Sequence, residues 1–253
     1  MPLEIRQFPC LSDNYGFLVR DRGTGVVAAV DTPDAGAILA ELDRSGWGRL
    51  DLILNTHWHP DHAGGNAAVK AATGAAIVAP AAEAHRIGPV DRSVEEGDAV
   101  DLGATAFQVI DTRGHTAGHV SYWSETERVA FVGDTLFALG CGRLFEGTPQ
   151  VMWASLSKLA ALPDDTRVYC AHEYTAANAR FALSVDDAPA LAARAAEVFA
   201  ARERGEPTVP TTIGAEKAAN PFLRAPEIAR ALGWPVADDA EAFGRVRAAK
   251  DRF

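Results

Sequence analysis

The stretch Thr56-His57-Trp58-His59-Pro60-Asp61-His62 places three imidazoles and one carboxylate side by side, directly after the apolar run Leu52-Ile53-Leu54. Histidine is scarce in this chain, since there are only 7 among 253 residues and three of them fall in this segment. Imidazole nitrogen and carboxylate oxygen are ligands that suit zinc, iron and manganese. The sequence therefore predicts a metal site at the end of a short strand.

The spacing within the segment indicates how one loop could serve two metals. His57 and His59 are two residues apart, so an extended backbone directs both side chains to the same side. Asp61 and His62 are adjacent, so their side chains diverge. One short loop can therefore supply ligands to two neighbouring metal ions.

The composition is that of a folded globular protein, with 48% hydrophobic and 23% charged residues. A length of 253 residues suits one large domain, or one domain with a smaller one attached. The formal net charge is −10, from 24 Lys and Arg against 34 Asp and Glu. Such an acidic surface repels phosphate backbones, so we expect no nucleic-acid partner.

Three features favour a cytoplasmic location. Cys10, Cys141 and Cys170 are odd in number and widely spaced, which fits a reducing compartment rather than a disulfide framework. The first residues lack the charged-then-apolar pattern of a signal peptide. No apolar stretch approaches the ~20 residues that a membrane span needs. We therefore expect a soluble cytoplasmic protein that does not bind membranes.

The first two thirds of the chain alternate strand-like and helix-like segments. Many short strands with few helices indicate two packed sheets with helices outside. After about Tyr174 the segments are helical, with no strand-like run, which indicates a separate helical domain. Strands are predicted at 3–8, 15–20, 26–30, 50–54, 77–79, 106–110, 120–123, 129–132 and 168–170, and helices at 35–43, 67–72, 150–159, 190–203, 227–232 and 241–250.

Three other strand ends carry a residue able to bind metal, namely His115, Asp134 and His172. Strand ends of a common sheet converge, so these side chains can meet the first motif. Each also has a structural interpretation: a capped loop histidine, a turn residue after glycine and a histidine at a helix start. The surrounding motifs favour a ligand role for all three. His119 and Asp31 are interpreted as structural or as groups that support the ligands.

These motifs resemble those of the metallo-β-lactamase superfamily, in the same order: Thr56 to His62, Gly114 to His119, Gly133-Asp134 and Ala171-His172. The resemblance covers about the first 173 residues and implies an α+β fold, an αββα sandwich with the site at one edge. It implies two divalent metal ions per chain, zinc first, with iron or manganese as alternatives. The implied ligands are His57, His59 and His115 for one metal, Asp61, His62 and His172 for the second, and Asp134 as a bridge.

Further motifs resemble glyoxalase II enzymes, the hydroxyacylglutathione hydrolases, over essentially the whole chain. They are Gly140 to Thr148, His172 to Thr175, Asn220 to Arg224 and Val246 to Phe253. The resemblance implies a catalytic domain at 1–173 and a helical substrate-binding domain at 174–253. It implies that glutathione is bound by Arg143, Tyr174, Arg247 and Lys250. Some relatives have Lys in place of Arg143, which changes the geometry of the cation, and Tyr in place of Phe145.

The implied reaction is hydrolysis of S-D-lactoylglutathione to D-lactate and glutathione, the second step of methylglyoxal detoxification. Asp61 and Asp134 are the expected catalytic residues, and Asp61 could also orient the attacking water. The expected partner is a small glutathione thioester, and the chain is expected to be a monomer. Three alternatives remain: another hydrolase of the superfamily such as a β-lactamase or lactonase, a mononuclear-iron persulfide dioxygenase with a smaller ligand set, and a non-catalytic binding module.

Overall fold

The structure is a computed structural model that describes residues 3–253. The chain divides into two units. The first comprises the residues up to Asp111 together with Thr116–Gly133. The second comprises Thr112–His115 and Asp134–Phe253. The predicted boundary between residues 173 and 174 is not the one that separates these units, and the division into a catalytic and a substrate-binding domain stays a prediction.

The first unit contains a six-stranded mixed sheet in the order β1-β2-β3-β4-β5-β6. The first three strands are antiparallel, whereas β3 to β6 run parallel. The carboxyl ends of β3 and β4 therefore lie at the same edge of the sheet, and the residues that follow them can meet there. The strands are β1 (Leu3–Cys10), β2 (Asn14–Asp21), β3 (Val27–Val30), β4 (Leu52–Leu54), β5 (Ala76–Pro80) and β6 (Arg92–Val94).

Four helices connect the strands of this sheet. They are α1 (Ala35–Ser45), α2 (Pro60–Ala63), α3 (Asn66–Thr73) and α4 (Ala84–Ile87), the last preceded by a 3-10 turn at Ala81–Glu83. Helix α1 begins after Asp34, whose carboxylate accepts a hydrogen bond from the Ala37 amide at 3.0 Å. Ile38 of α1 packs in the core beneath the sheet. The amphipathic pattern of the sequence therefore forms the helix that covers one face.

The same unit contains four antiparallel strands in the order β10-β9-β8-β7. They are β7 (Ala99–Leu102), β8 (Thr105–Asp111), β9 (Val120–Ser124) and β10 (Val129–Gly133). The rings of Phe17 in β2 and Phe131 in β10 lie 5.6 Å apart, so the two sheets pack face to face. The hydroxyl of Tyr122 in β9 donates to the Asn55 carbonyl at 2.8 Å, close to the end of β4.

The second unit is mainly helical. Leu139 lies in its core with apolar residues of α6, α7 and α8. Its helices are α5 (Pro149–Ala160), α6 (Thr175–Val185), α7 (Pro189–Glu203), α8 (Ile213–Ala219), α9 (Ala225–Ala231) and α10 (Asp239–Arg252). Its strands form two antiparallel pairs, β11 (Leu136–Phe137) with β12 (Gly140–Cys141), and β13 (Arg167–Cys170) with β14 (Thr211–Thr212).

The sequence patterns missed several elements, most of them short. β6 and β7 have three and four residues, too few for a period to show. Helix α6 was missed because polar residues such as Asn178 are buried on its inner face, which hides the apolar pattern. β14 lies where no strand was expected. Among the described residues, no helix is long and apolar enough to cross a membrane.

Asp21 ties the turn after β2 to the turn between β7 and β8. Its Oδ1 accepts from the amides of Gly23 at 2.8 Å and Thr24 at 2.9 Å. Its Oδ2 accepts from the Ala104 amide at 3.0 Å and the Thr105 hydroxyl at 3.1 Å. Burial by itself raises the pKa of this carboxyl. The hydrogen bonds together lower the pKa by more than burial raises it, so the pKa lies below the ordinary value of 3.8.

We expect Asp21→Asn to lower the free energy of unfolding by about 1–3 kcal/mol at neutral pH, because buried donors lose their acceptor. The pKa in the folded protein lies below the unfolded value of 3.8, so the carboxylate stabilises the fold above that pH. This stabilisation is lost as the pH falls through the folded pKa. Urea unfolding of parent and variant at several pH values should show a difference that shrinks on acidification. A difference independent of pH would contradict the role of the charge.

Candidate metal centre

The turn after β4 brings three histidine rings of the first unit together. The ring centroids of His57 and His62 lie 3.9 Å apart, and those of His57 and His59 lie 4.7 Å apart. His57 Nε2 lies 3.0 Å from His59 Nδ1. The backbone changes from extended to helical at Pro60, the first residue of α2. The prediction that the side chains of Asp61 and His62 diverge is wrong, because at the start of this helix Asp61 Oδ2 lies 3.5 Å from His62 Nε2.

Hydrogen bonds to Asp31 set the tautomers of two of these histidines. Asp31, at φ 57°, accepts from the amide and the hydroxyl of Thr56, both at 2.8 Å, and from His62 Nδ1 at 2.8 Å. Because the Thr56 hydroxyl donates to Asp31, it accepts from His57 Nδ1 at 3.0 Å. Nδ1 carries the proton in both rings, so Nε2 is the nitrogen that can bind a metal. Asp31 is thus the supporting group that the sequence suggested.

Asp61 is held beside His62 by the first residue of β2. The Asn14 side-chain amide donates to Asp61 Oδ2 at 3.1 Å and to the Asp61 carbonyl at 3.3 Å. The same Oδ2 lies 3.5 Å from His62 Nε2. The Asp61 side chain is 39% exposed, so its carboxylate reaches solvent while it lies next to a buried imidazole.

Glu83 supports the backbone between two of the histidines. Its carboxylate accepts from the Trp58 amide at 2.9 Å and from the Gly118 amide at 2.7 Å. Trp58 separates His57 from His59, so this buried carboxylate fixes the peptide between them. A Cβ at position 118 would lie 2.7 Å from Glu83 Cγ, which explains the glycine. Sequence reasoning missed Glu83, because no motif distinguishes it from a surface glutamate.

The second unit brings together His115, Asp134 and His172, all of them buried. Asp134 Oδ2 lies 3.3 Å from His115 Nε2, and Asp134 Oδ1 lies 3.4 Å from His172 Nε2. His115 Nδ1 donates to the Arg143 carbonyl at 2.9 Å, so Nε2 is again the nitrogen that can bind a metal. The two oxygens of one carboxylate therefore lie next to two different histidines.

The donor atoms fit a divalent metal. Ligands at about 2.1 Å from a tetrahedral ion lie ~3.4 Å from one another, close to the distances between Asp134 and its two histidines. All seven predicted ligands belong to groups of His and Asp side chains that could hold a metal ion. Burial raises the pKa of Cys10 to about 12, of Cys141 to about 11 and of Cys170 to about 12, so the thiols stay protonated. The chain therefore has a cluster of His and Asp side chains able to bind metal.

Arg247 is buried and its guanidinium is engaged. One nitrogen donates to the Cys141 carbonyl at 3.1 Å, and another pairs with Asp251 at 2.8 Å. The guanidinium carbon lies 4.9 Å from the centroid of the Phe222 ring. Tyr174 is 38% exposed, and its ring stacks on His172 with centroids 4.7 Å apart.

A group of cations surrounds Lys250 in the second unit. Lys250 Nζ donates to the Ala177 carbonyl at 3.2 Å. The pKa of Lys250 is lowered, first by burial and then by the nearby positive charges of Arg247, Arg180 and Arg143. In a chain with a net charge of −10, this local excess of positive charge can bind an anion.

Comparison with known proteins places the chain in a family. A model described as the Metallo-beta-lactamase superfamily matches residues 14–172, and one described as Hydroxyacylglutathione hydrolase C-terminus matches residues 173–253. The hydroxyacylglutathione hydrolase of Maricaulis maris (strain MCS10) is 60% identical over 254 residues, which covers 99% of each chain. The chain belongs to the hydroxyacylglutathione hydrolase family. This membership confirms the resemblance found in the sequence.

Other similar proteins agree with this family and with the fold. The hydroxyacylglutathione hydrolase of Erythrobacter litoralis (strain HTCC2594) is 53% identical, over 99% of this chain and 100% of the relative. The crystal structure of ETHE1 from Myxococcus xanthus matches with a TM-score of 0.71 and 26% identity, over 97% of this chain and 90% of that one. The predicted αββα sandwich with a helical C-terminal region is therefore confirmed.

We expect Asp31→Asn to weaken metal binding by about 10–100-fold, the usual effect of losing a carboxylate that orients a histidine ligand. The new amide group would oppose the donors of Thr56 or His62. Competition with a chromogenic chelator measures the affinity. Asp34→Asn is the matched control, since it makes the same chemical change three residues away, at a helix cap where Asn serves as well as Asp. Equal metal affinity in both variants would contradict the role of Asp31.

Proposed function

We propose that this chain is a metal-dependent thioester hydrolase that converts S-D-lactoylglutathione to D-lactate and glutathione. Relatives named hydroxyacylglutathione hydrolase match it from end to end, at 50–60% identity for the first several. The C-terminal region matches the corresponding part of that family. A lactonase, a β-lactamase or a persulfide dioxygenase receives less support, since the C-terminal match is to hydroxyacylglutathione hydrolases.

The position of Asp134 carries the proposal of a two-metal site. Its oxygens lie 3.3 and 3.4 Å from the Nε2 atoms of His115 and His172, which the family pattern assigns to different metals. A carboxylate in this position is suited to bridge two ions. We infer that His57, His59 and His115 bind one ion, Asp61, His62 and His172 the other, and Asp134 both. A related structure, TTHA1623, is described in a di-iron-bound form, at 25% identity and a TM-score of 0.62, over 87% of this chain and 100% of that one.

Zinc is the metal we propose first, with iron or manganese as alternatives. Metal ions in such a site lower the pKa of a bound water to about 7 and polarise a carbonyl. The chain supplies the other functions. Asp61, which Asn14 holds in place, can accept a hydrogen bond from the attacking water and direct it toward the thioester carbonyl. The leaving group is a thiolate, whose parent thiol has an ordinary pKa of about 8.5. A thiolate therefore leaves without protonation, and no general acid is required.

The cations of the second unit support recognition of glutathione. Arg143 is exposed and Lys250 is half-buried, so both can bind a carboxylate of the substrate. The ring of Tyr174 stacks on that of His172 and can contact a substrate bound beside it. Because the nitrogens of Arg247 contact Cys141 and Asp251, its contribution to binding is its charge and its support of the Cys141 carbonyl.

The three cysteines are free thiols, which supports a cytoplasmic location, and the monomeric state stays a prediction.

The two-metal proposal predicts close to two ions per chain after reconstitution and a loss of at least 100-fold in kcat for Asp134→Ala, the scale of losing an electrostatic stabiliser. Elemental analysis and a hydrolysis assay with S-D-lactoylglutathione measure these quantities. Asp164→Ala removes an exposed carboxylate paired with Lys217 and serves as the control. A maximum near one ion in the parent, or normal turnover in a folded Asp134→Ala protein, would contradict the bridge.

Glutathione recognition predicts a selective effect of Lys250→Ala. The KM for S-D-lactoylglutathione should rise about tenfold, since a charged hydrogen bond contributes ~1.5–3 kcal/mol. The kcat should change little, because the contact lies away from the reacting carbonyl and is equal in ground and transition states.

Two controls accompany that measurement. Arg252→Ala removes an exposed cation from the same helix, α10, and should leave KM unchanged. Hydrolysis of a small uncharged thioester by Lys250→Ala should match the parent. An equal loss with both thioesters would show that Lys250 supports the fold rather than the substrate.

A further inference from the structure

The β11–β12 hairpin of the second unit connects Asp134 to Arg143, and both residues contact the ring of His115. The Asp134 carboxylate lies 3.3 Å from His115 Nε2, and the Arg143 carbonyl accepts from His115 Nδ1 at 2.9 Å. The two nitrogens of one imidazole are therefore placed by the two ends of one hairpin. A shift of the hairpin would change the orientation of His115 relative to Asp134.

The turn of this hairpin is strained. Leu139 has φ 55°, in the left-handed region that costs an L-residue about 1–2 kcal/mol. The chain also closes tightly on itself, since a Cβ at Gly142 would overlap the carbonyl oxygen of Asp134. Such a backbone persists only where the surroundings determine it.

Two buried side chains hold the strained turn. Asn178 of α6 donates from Nδ2 to the Ala138 carbonyl at 3.1 Å. Glu216 of α8 accepts from the Leu139 amide through Oε2 at 2.8 Å. A Cβ at Gly140 would overlap the Asn178 side chain, so the helix lies directly against the hairpin.

Asn220, directly after α8, completes the set. Its Nδ2 donates to the Phe137 carbonyl at 3.1 Å and to the Gly140 carbonyl at 2.9 Å, one on each strand of the hairpin. The same nitrogen lies 2.8 Å from Glu216 Oε2, so its two hydrogens are shared among three acceptors and the two side chains are in direct contact. Glu216 Oε1 accepts in turn from the Thr211 hydroxyl at 2.6 Å. We call Asn178, Glu216 and Asn220 the hairpin clamp.

We propose that the hairpin clamp positions the metal centre: α6 and α8 fix the hairpin, and the hairpin sets His115 and Asp134 for metal binding. The inference rests on the proposed metal site and is independent of the identity of the thioester. Residues 173–253, which match the hydroxyacylglutathione hydrolase C-terminus, would then serve metal retention as well as substrate binding.

Two substitutions of Glu216 separate positioning from simple packing. Glu216→Met keeps the length of the side chain but cannot accept from the Leu139 amide. Glu216→Gln keeps one oxygen for Leu139 and directs its amide group toward the Thr211 hydroxyl, which can accept. Asp186→Asn is the control, since it weakens a 2.7 Å ion pair with Arg224 in the same unit.

Three quantities are measured on the full-length chain: the Kd for zinc by chelator competition, the thermal midpoint of the metal-free protein, and hydrogen exchange of the Leu139 amide without metal. Glu216→Met should raise the Kd of at least one zinc ion tenfold or more and lose Leu139 protection. Glu216→Gln should stay within about threefold of the parent, because the acceptor is retained. Asp186→Asn should lower the thermal midpoint with an unchanged zinc Kd.

A Glu216→Met protein that is destabilised like Asp186→Asn but binds zinc like the parent would overturn the inference, because the clamp would then only stabilise the fold. Where Glu216→Met does not fold, Asn178→Leu replaces it, with loss of the hydrogen bond to Ala138 and the same two outcomes. A parent that binds fewer than two ions overturns the proposed metal site itself. A parent that binds two ions but does not hydrolyse the thioester overturns the proposed activity and leaves the clamp standing.

Discussion

The carboxylate of Asp31 is the group on which the ligand geometry of the first unit depends. Asp31 directly follows β3, a strand that runs parallel to β4. Its carboxylate therefore lies beside the segment that follows β4 and accepts hydrogen bonds from Thr56 and His62. Through the Thr56 hydroxyl it also fixes the proton of His57. This one buried carboxylate thereby orients the imidazoles of His57 and His62 so that Nε2 of each is available to a metal. The parallel pairing of two strands is what brings it there.

The second unit reaches the same result with a backbone group. The Arg143 carbonyl takes the place that Asp31 has in the first unit, and it accepts the Nδ1 proton of His115. The position of a backbone carbonyl depends on the conformation of the segment that contains it. The hairpin that leads to Arg143 contains Leu139 in a left-handed conformation. The helical region therefore matters for ligand geometry, because side chains such as Glu216 hold the loop in that conformation.

Much of the fold and of the site could be predicted from local patterns. Apolar runs such as Leu52–Leu54 identified the strands, and the residues directly after them identified the candidate ligands. The supporting carboxylates could not be found this way. Glu83 contacts the amide of Gly118, and Glu216 contacts the amide of Leu139, far along the chain in each case. A buried glutamate with a distant partner leaves no periodic signal, so it looks like any surface glutamate in the sequence.

By itself, the sequence determined which side chains could bind metal, because the histidines and aspartates that directly follow the strands can be read from it. It also determined the family, through motifs that extend to Phe253. Only the tertiary structure decided which nitrogen of His57, His62 and His115 is available to a metal, since that depends on the hydrogen bond that each Nδ1 makes in the folded chain. It likewise decided that the guanidinium of Arg247 is buried against Cys141, because burial is a property of the packed helices and not of the residue.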